Sequence, residues 1–189
     1  MSRVLIISGD GAGPELEYGL FRMREERFEV TVAAPKKKPL LTVFHQQEDG
    51  WDAGVERPWY VTQASATFED IDPATYDGLL LPGGRAPVYL RNYERCTEIV
   101  RHFITSGKPV AAICRGPIVL VTAGGPGRRF TGHPLIRPRV EMGGCTFVET
   151  RGEAVRDGNI VTVSDGYPHI WVREFLALLR ARTNARKAA

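Results

Sequence analysis

Short apolar runs alternate with amphipathic stretches along this chain, and the two periods separate cleanly in its first 35 residues. "VLIIS" (4–8) and "FEVTVAAP" (28–35) are continuous enough to be strands buried on both faces. Between them Leu16, Leu20 and Met23 recur at helical spacing and predict a crossover helix over 14–26. Pro14 suits its first turn, and Glu15 and Glu17 lie near the positive end of its dipole. "YDGLLLPGG" (76–84) predicts a further buried strand that ends in a glycine pair. Cys96, Ile99, Val100 and Phe103 then fall at i, i+3, i+4 and i+7, which places Cys96 on the core face of a helix. Strand "PVAAI" (109–113), a turn at Cys114 and a short helix "PIVLVTA" (117–123) closed by Gly124 and Gly125 follow.

The pattern is weaker elsewhere. In 36–75, "KKK" and "QQEDG" read as solvated turns and "WYVTQ" as a short strand. "CTFVE" (145–149) and "NIVTVS" (159–164) read as strands, with Cys145 a strand residue, and Trp171, Phe175, Leu178 and Leu179 form one stripe of a last helix. No repeat, low-complexity tract or linker interrupts the alternation. The expectation is one α/β domain over 1–189 with a mainly parallel sheet.

Composition narrows the function classes. A length of 189 residues, 43% hydrophobic and 25% charged, suits a single globular domain. The balance of 25 basic against 22 acidic residues leaves only +3, too mild for a nucleic-acid or membrane-surface partner. Arg180, Arg182, Arg186 and Lys187 hold much of the excess, so the basic tail 180–189 is expected to be solvated and frayed. No apolar run is long enough to cross a bilayer, and "MSRVLIISGDG" is too short for a signal peptide. Three cysteines, an odd number without paired spacing, offer no disulfide framework, which makes the cytoplasm the expected compartment. The cysteines and four histidines lack metal-ligand spacing, so no metal is expected, and "GDGAG" completes neither nucleotide fingerprint.

The candidate chemistry lies at strand ends, where open α/β sheets bind ligands. Strand one leads into "GDGAGPE", the 78–81 strand into Gly83 and Gly84, and the 109–113 strand into Cys114. In a parallel sheet a carboxylate, a glycine amide and a thiol would converge. A thiol on a sharp strand-to-helix turn stands exposed above the sheet as a nucleophile elbow, with Gly116 relieving the turn and Pro117 opening the helix. Its place at a helix N-terminus, beside Arg115, is expected to favour the thiolate. The alternative is that Cys114 is a small apolar filler at the end of a core strand.

"LLLPGGRAP", "KPVAAICRGP", "TGHPLI" and "DGNIVTVS" followed by "WVREFLALL" occur in this order. With them the chain resembles, over nearly its whole length, the PfpI/ThiJ superfamily of intracellular cysteine peptidase-like proteins, glyoxalases and protein deglycases. The resemblance implies a flavodoxin-like three-layer sandwich of the class I glutamine amidotransferase-like type. It also implies a nucleophilic cysteine, no cofactor, and assembly as a homodimer or homohexamer. Cys114 matches the family nucleophile, and Gly84 with the amide of Arg115 matches the oxyanion hole. Gly83, Arg115 and Gly116 fall where substrate is bound. Glu15 matches the carboxylate that hydrogen-bonds the thiol, across a one-residue gap, with Glu17 as the fallback.

Two departures bear on function. Many members read Cys-His-Gly-Pro, whereas Arg115 cannot accept a proton. The segment Thr131-Gly132-His133-Pro134 keeps a histidine found in relatives of that kind, which makes His133 the candidate proton shuttle; the alternative is a loop histidine bonded locally. His45 in a polar loop and His102 on a helix have no better claim, and His169, near the start of the last helix, is left as a possible cleft residue.

The expected function is a cofactor-independent, cysteine-dependent enzyme of glyoxalase III or deglycase type. Its substrate would be a small reactive carbonyl such as methylglyoxal or an adduct on a modified protein or peptide, with Arg115 favouring an acidic one. An intracellular cysteine peptidase or amidase is the first alternative. A redox-sensing or stress-protective protein with an oxidisable Cys114, and a family scaffold specialised to another substrate, are the others.

Overall fold

A computed structural model describes residues 2–188 of the protein. Its first half runs β1 (Arg3–Ile7), α1 (Glu15–Glu25), β2 (Glu29–Ala34), β3 (Pro39–Gln46), β4 (Val55–Gln63), β5 (Ala66–Thr67), β6 (Gly78–Leu81), α2 (Ala86–Leu90) and α3 (Glu94–Thr105). The second runs β7 (Val110–Ile113), α4 (Pro117–Gly124), β8 (Arg129–Phe130), α5 (Arg137–Met142), β9 (Thr146–Phe147), β10 (Val155–Asp157), β11 (Ile160–Val163) and α6 (Pro168–Ala188).

Seven strands form the central sheet in the order β10-β11-β7-β6-β1-β2-β5. All neighbours pair in parallel except β10, which returns antiparallel along one edge. The wholly buried runs of β6, β7 and β11 explain why these strands read as unbroken apolar segments. α1 and α6 lie side by side on one face, and α3 and α4 on the other. The fold is therefore a three-layer, flavodoxin-like sandwich. Fully burying Trp171, Phe103 and Phe175 between layers stabilises it by about 1.5–3 kcal/mol for each ring. Cys96 is fully buried on α3, as its spacing predicts. No helix among the described residues is long and apolar enough to cross a membrane.

The chain order explains where a site can form. β1 is central; the chain steps to β2 on one side and later to β6 on the other, with helices on opposite faces. Right-handed crossovers force that change of face, and the loops after β1 and β6 diverge at the switch to leave a crevice at the strands' carboxyl ends.

Four elements differ from the sequence expectation. Residues 39–63 form an antiparallel hairpin, β3–β4, outside the main sheet; only part of β4 is legible as "WYVTQ". β10 is joined to β11 by a two-residue Gly158–Asn159 turn with φ of 60° at the glycine, a tight hairpin hidden in a polar stretch. α6 continues to Ala188, through most of the segment expected to fray; Ala189 and the side chains of Arg186 and Lys187 lie outside the described residues. The "CTFVE" strand is shorter than expected: β9 holds Thr146 and Phe147, while buried Cys145 precedes it and donates its thiol to the Gly125 carbonyl at 3.0 Å.

Candidate active site

β7 ends abruptly at Cys114, whose φ of 59° lies in the left-handed region. Arg27 is the other non-glycine residue with a positive φ among the described residues. An L-residue there costs about 1–2 kcal/mol, and such strain gathers at functional sites. Neighbouring bonds hold the turn. The Gly116 amide donates to the Ile113 carbonyl at 2.8 Å, the Cys114 amide to Val163 at 3.1 Å, and the His133 amide to the Cys114 carbonyl at 2.8 Å. A Cβ on Gly116 would stand 2.4 Å from the Leu81 carbonyl oxygen, so the turn requires glycine. Pro117 then opens α4 where no amide donor is needed.

The end of β6 closes on the thiol. A Cβ on Gly83 would lie 2.5 Å from Cys114 Cβ and 3.0 Å from its Sγ, so the missing side chain admits the cysteine. Gly84 has φ of 79° and pairs with Ala12, and its amide is directed at the Cys114 sulfur. The Arg85 amide donates to the Gly11 carbonyl at 2.7 Å, which ties this turn to the loop after β1. "GDGAG" thus spends its backbone on neighbouring loops: the Gly11 amide donates to Leu41 and the Gly13 amide to Gly83.

Glu15 begins α1 and faces the same place. Its Oε2 is sealed from solvent and has no hydrogen-bond partner, and a Cβ on Gly13 would come within 2.0 Å of that atom. Glu17 faces elsewhere, accepting a 2.6 Å bond from the Thr62 hydroxyl. Of the two acidic candidates, Glu15 is therefore the one whose charge acts on the Cys114 thiol.

These groups open into a cavity of about 1050 Å³. Glu15, Gly84, Cys114, Arg115 and His133 line it, whereas Gly83 and Gly116 lie behind the thiol and shape the turn. His169 is off the wall, where Pro168 stands instead. His133 accepts the Leu135 amide at its Nδ1 (3.1 Å), so the neutral ring carries its proton on Nε2 and can donate but not accept there.

Two contributors were not singled out in the sequence, and a third, His45, ranks behind His133 there. Asp165, just beyond β11, lines the cavity, and its charge acts on Glu15, Cys114 and His133. The strand-end rule that marks the other loops points to it as well. His45 is on β3, not in a loop, and also reaches the wall; its Nε2 lies 3.5 Å from Glu56. The outer wall is aromatic: Tyr18 and Phe21 come from α1, and Phe44 and Trp59 meet edge to face on the hairpin. Only the folding of β3–β4 over the crevice brings Phe44 and Trp59 there, and no local pattern signals it.

The electrostatics depart from the expected thiolate. Burial, reinforced by the Glu15 charge, pushes the Cys114 thiol up to about 12, against the opposing pull of the Gly84 amide and Arg115. Burial also raises the Glu15 carboxyl, with the charges of Asp165 and Glu17 adding to it. Burial lowers His133, and nearby Arg115 lowers it further. The resting site thus holds a thiol beside a carboxyl of increased basicity.

That shift has a consequence for stability. Because folding raises the Glu15 pKa, its contribution is full below the unfolded value of about 4.3 and is lost as pH rises through the native value. Glu15→Gln, an isostere of the protonated carboxyl, should match the wild-type Tm near pH 4 and exceed it increasingly towards pH 8. A Tm difference independent of pH would contradict the raised carboxyl.

A mainly parallel α/β sheet with a strained cysteine at a strand-to-helix turn on its carboxyl edge defines the protein as a flavodoxin-like α/β domain with its candidate site at that turn. The chain belongs to the DJ-1/PfpI family, whose model matches residues 2–178. It is 38% identical over 181 residues to a deglycase of Pyrococcus abyssi, covering 94% of this chain and 99% of that one. It is 37% identical over 170 residues to the deglycase PfpI of Pyrococcus furiosus, covering 88% and 92%. A two-domain protein of Anabaena variabilis with DJ-1/ThiJ/PfpI-like and ferritin-like domains shares the fold at a TM-score of 0.81 and 24% identity. The match covers 95% of this chain and 48% of that one.

Proposed function

We propose that the protein is a cysteine-dependent, cofactor-independent enzyme that converts α-oxoaldehydes, free or held as adducts on thiols and amines, to 2-hydroxy acids. The observation that carries this reading is the strained Cys114, set against the Gly84 amide and beside the unpartnered Glu15 oxygen, in the wall of a cavity. Relatives named as deglycases at 37–38% identity support it.

In this reading an adduct first breaks its bond to the carrier within the cavity, the hydroxyl proton going to the departing sulfur or nitrogen, which leaves the aldehyde. The Cys114 sulfur then bonds to the aldehyde carbon and the thiol proton passes to ionised Glu15, a better acceptor because its basicity is raised. Amides of Gly84 and Arg115 hold the oxygen as it gains charge. Hydrogen then moves from the former aldehyde carbon to the neighbouring carbonyl carbon, so that one carbon is oxidised as the other is reduced. The product is a thioester of the 2-hydroxy acid. His133 donates a hydrogen bond from Nε2 to the oxygen of the carbonyl being reduced, and the proton taken up by Glu15 completes the hydroxyl there and leaves Glu15 ionised again. Water cleaves the thioester and restores the thiol, so methylglyoxal plus water gives lactate with no external oxidant or reductant.

Peptide cleavage is less well served, because a leaving amine needs a proton from a group beside the nucleophile and Arg115 holds its own too tightly. The test is incubation with the hemithioacetal of methylglyoxal and N-acetylcysteine. Lactate and free thiol should appear in equal amounts; if neither exceeds the protein-free rate, the proposal fails.

A further inference from the structure

We infer that Arg115 makes this site selective for adducts whose carrier bears a carboxylate, so that the preferred substrates are α-oxoaldehyde adducts of small anionic thiols and amines. The inference rests on the function proposed above and specifies its substrate class.

The first observation is an unmatched charge. Arg115 directly follows Cys114 and lines the cavity half-buried, and its guanidinium makes no hydrogen bond or ion pair among the described residues. Nearby basic groups are engaged: Arg85 pairs with Glu56 at 3.1 Å, His45 stands 3.5 Å from the same carboxylate, and Lys38 pairs with Asp10. No ion pair joins Asp165 to Arg115 among the described residues, and Asp165 Oδ1 accepts the Ser164 hydroxyl at 3.0 Å. Neither Glu15 nor Glu17 forms an ion pair with Arg115 among the described residues, and Glu17 accepts the Thr62 hydroxyl instead. Asp52 lies at the exposed rim. What remains beside the nucleophile is a planar fork of donors suited to a carboxylate.

The second observation is size. About 1050 Å³ is several times what a three-carbon aldehyde fills, and the space beyond Cys114 is walled by Phe44 and Trp59. A reacting carbon at the sulfur therefore leaves room for a carrier, with Arg115 at one side to hold its charged end. A free aldehyde would use neither the fork nor the wall.

The test compares methylglyoxal hemithioacetals of N-acetylcysteine, which is anionic, and N-acetylcysteine amide, which is neutral and otherwise alike. The wild type should show a kcat/KM ratio of about tenfold in favour of the anion, the scale of one charge-assisted contact. Arg115→Gln should bring that ratio to near one, and Arg115→Lys, which keeps the charge but not the fork, should restore part of it. Turnover that is equal on both carriers, and equally affected by Arg115→Gln, overturns the inference while leaving the proposed function intact. Binding supplies a readout independent of turnover: calorimetry with Cys114→Ala protein and the stable lactoyl thioesters of the same two carriers. Tighter binding of the anionic thioester, lost in Cys114→Ala/Arg115→Gln, supports the inference even if catalysis is absent; equal binding of the two overturns it.

Discussion

Replacing Cys114 by serine should abolish lactate formation, with a loss of at least about a thousandfold, because the reaction proposed here passes through a bond to that sulfur. The hydroxyl retains the polar contact but is a far weaker nucleophile, and the site has no histidine at position 115 to activate it. The serine is nearly isosteric, so the change in Tm should be small and the loss of turnover cannot be ascribed to unfolding. Cys96→Ser and Cys145→Ser serve as controls: both thiols are buried away from the cavity and should leave turnover intact even where they lower Tm. Iodoacetamide labelling against pH should show Cys114 unreactive until well above neutral pH, since its thiol is pushed up to about 12. Retention of more than a tenth of the activity in Cys114→Ser would sink the covalent route.

Gly84→Ala should be the most damaging small substitution. An added Cβ would stand 2.3 Å from the Gly11 carbonyl oxygen and 2.4 Å from the Gly13 amide nitrogen, both backbone atoms that cannot turn aside. The φ of 79° adds strain of its own. Strain and overpacking together should cost about 2–4 kcal/mol, which for a chain of this size lowers Tm by about 5–12 °C. Activity should fall further than stability implies, by about a hundredfold, because the loop displaced carries Glu15 and the amide displaced faces Cys114. Gly50→Ala separates the two effects: its φ is 81° but nothing lies within 4 Å of the added carbon, so it should show the strain alone. Equal Tm losses in the two variants would mean that the close approach at Gly84 is relieved at no cost.

Much of the site was legible because parallel sheets leave a strong local record. β6 and β7 are buried on both faces, so each is written as an apolar run, and the residues that follow each run necessarily stand at the sheet's carboxyl edge. Cys114, Gly84 and the region of Glu15 could be placed by that rule alone. Asp165 obeys it too, standing just past β11. The hairpin was not legible in the same way. β3 and β4 lie off the main sheet with half-exposed, mixed faces, and a one-residue register shift between Leu41 and Val43 breaks their alternation. Tyr18 and Phe21 stand on α1 with Leu16, Leu20 and Met23, and nothing in that pattern marks them as cavity residues, because the hairpin that faces them comes from residues 39–63.

The sequence by itself determined the sheet, the crossover helices and the turn at Cys114, because each depends on the order of apolar and small residues within a dozen positions. Only the tertiary structure decided the state of the groups at that turn. The helix start and Arg115 argue for a thiolate when read along the chain, but burial beneath loops distant in sequence outweighs both and keeps the proton on sulfur. Likewise Leu135 fixes the nitrogen on which His133 holds its proton, and Arg115, with no ion pair among the described residues, lines the cavity. Desolvation and pairing are sums over everything that surrounds a group, and no stretch of sequence contains those surroundings.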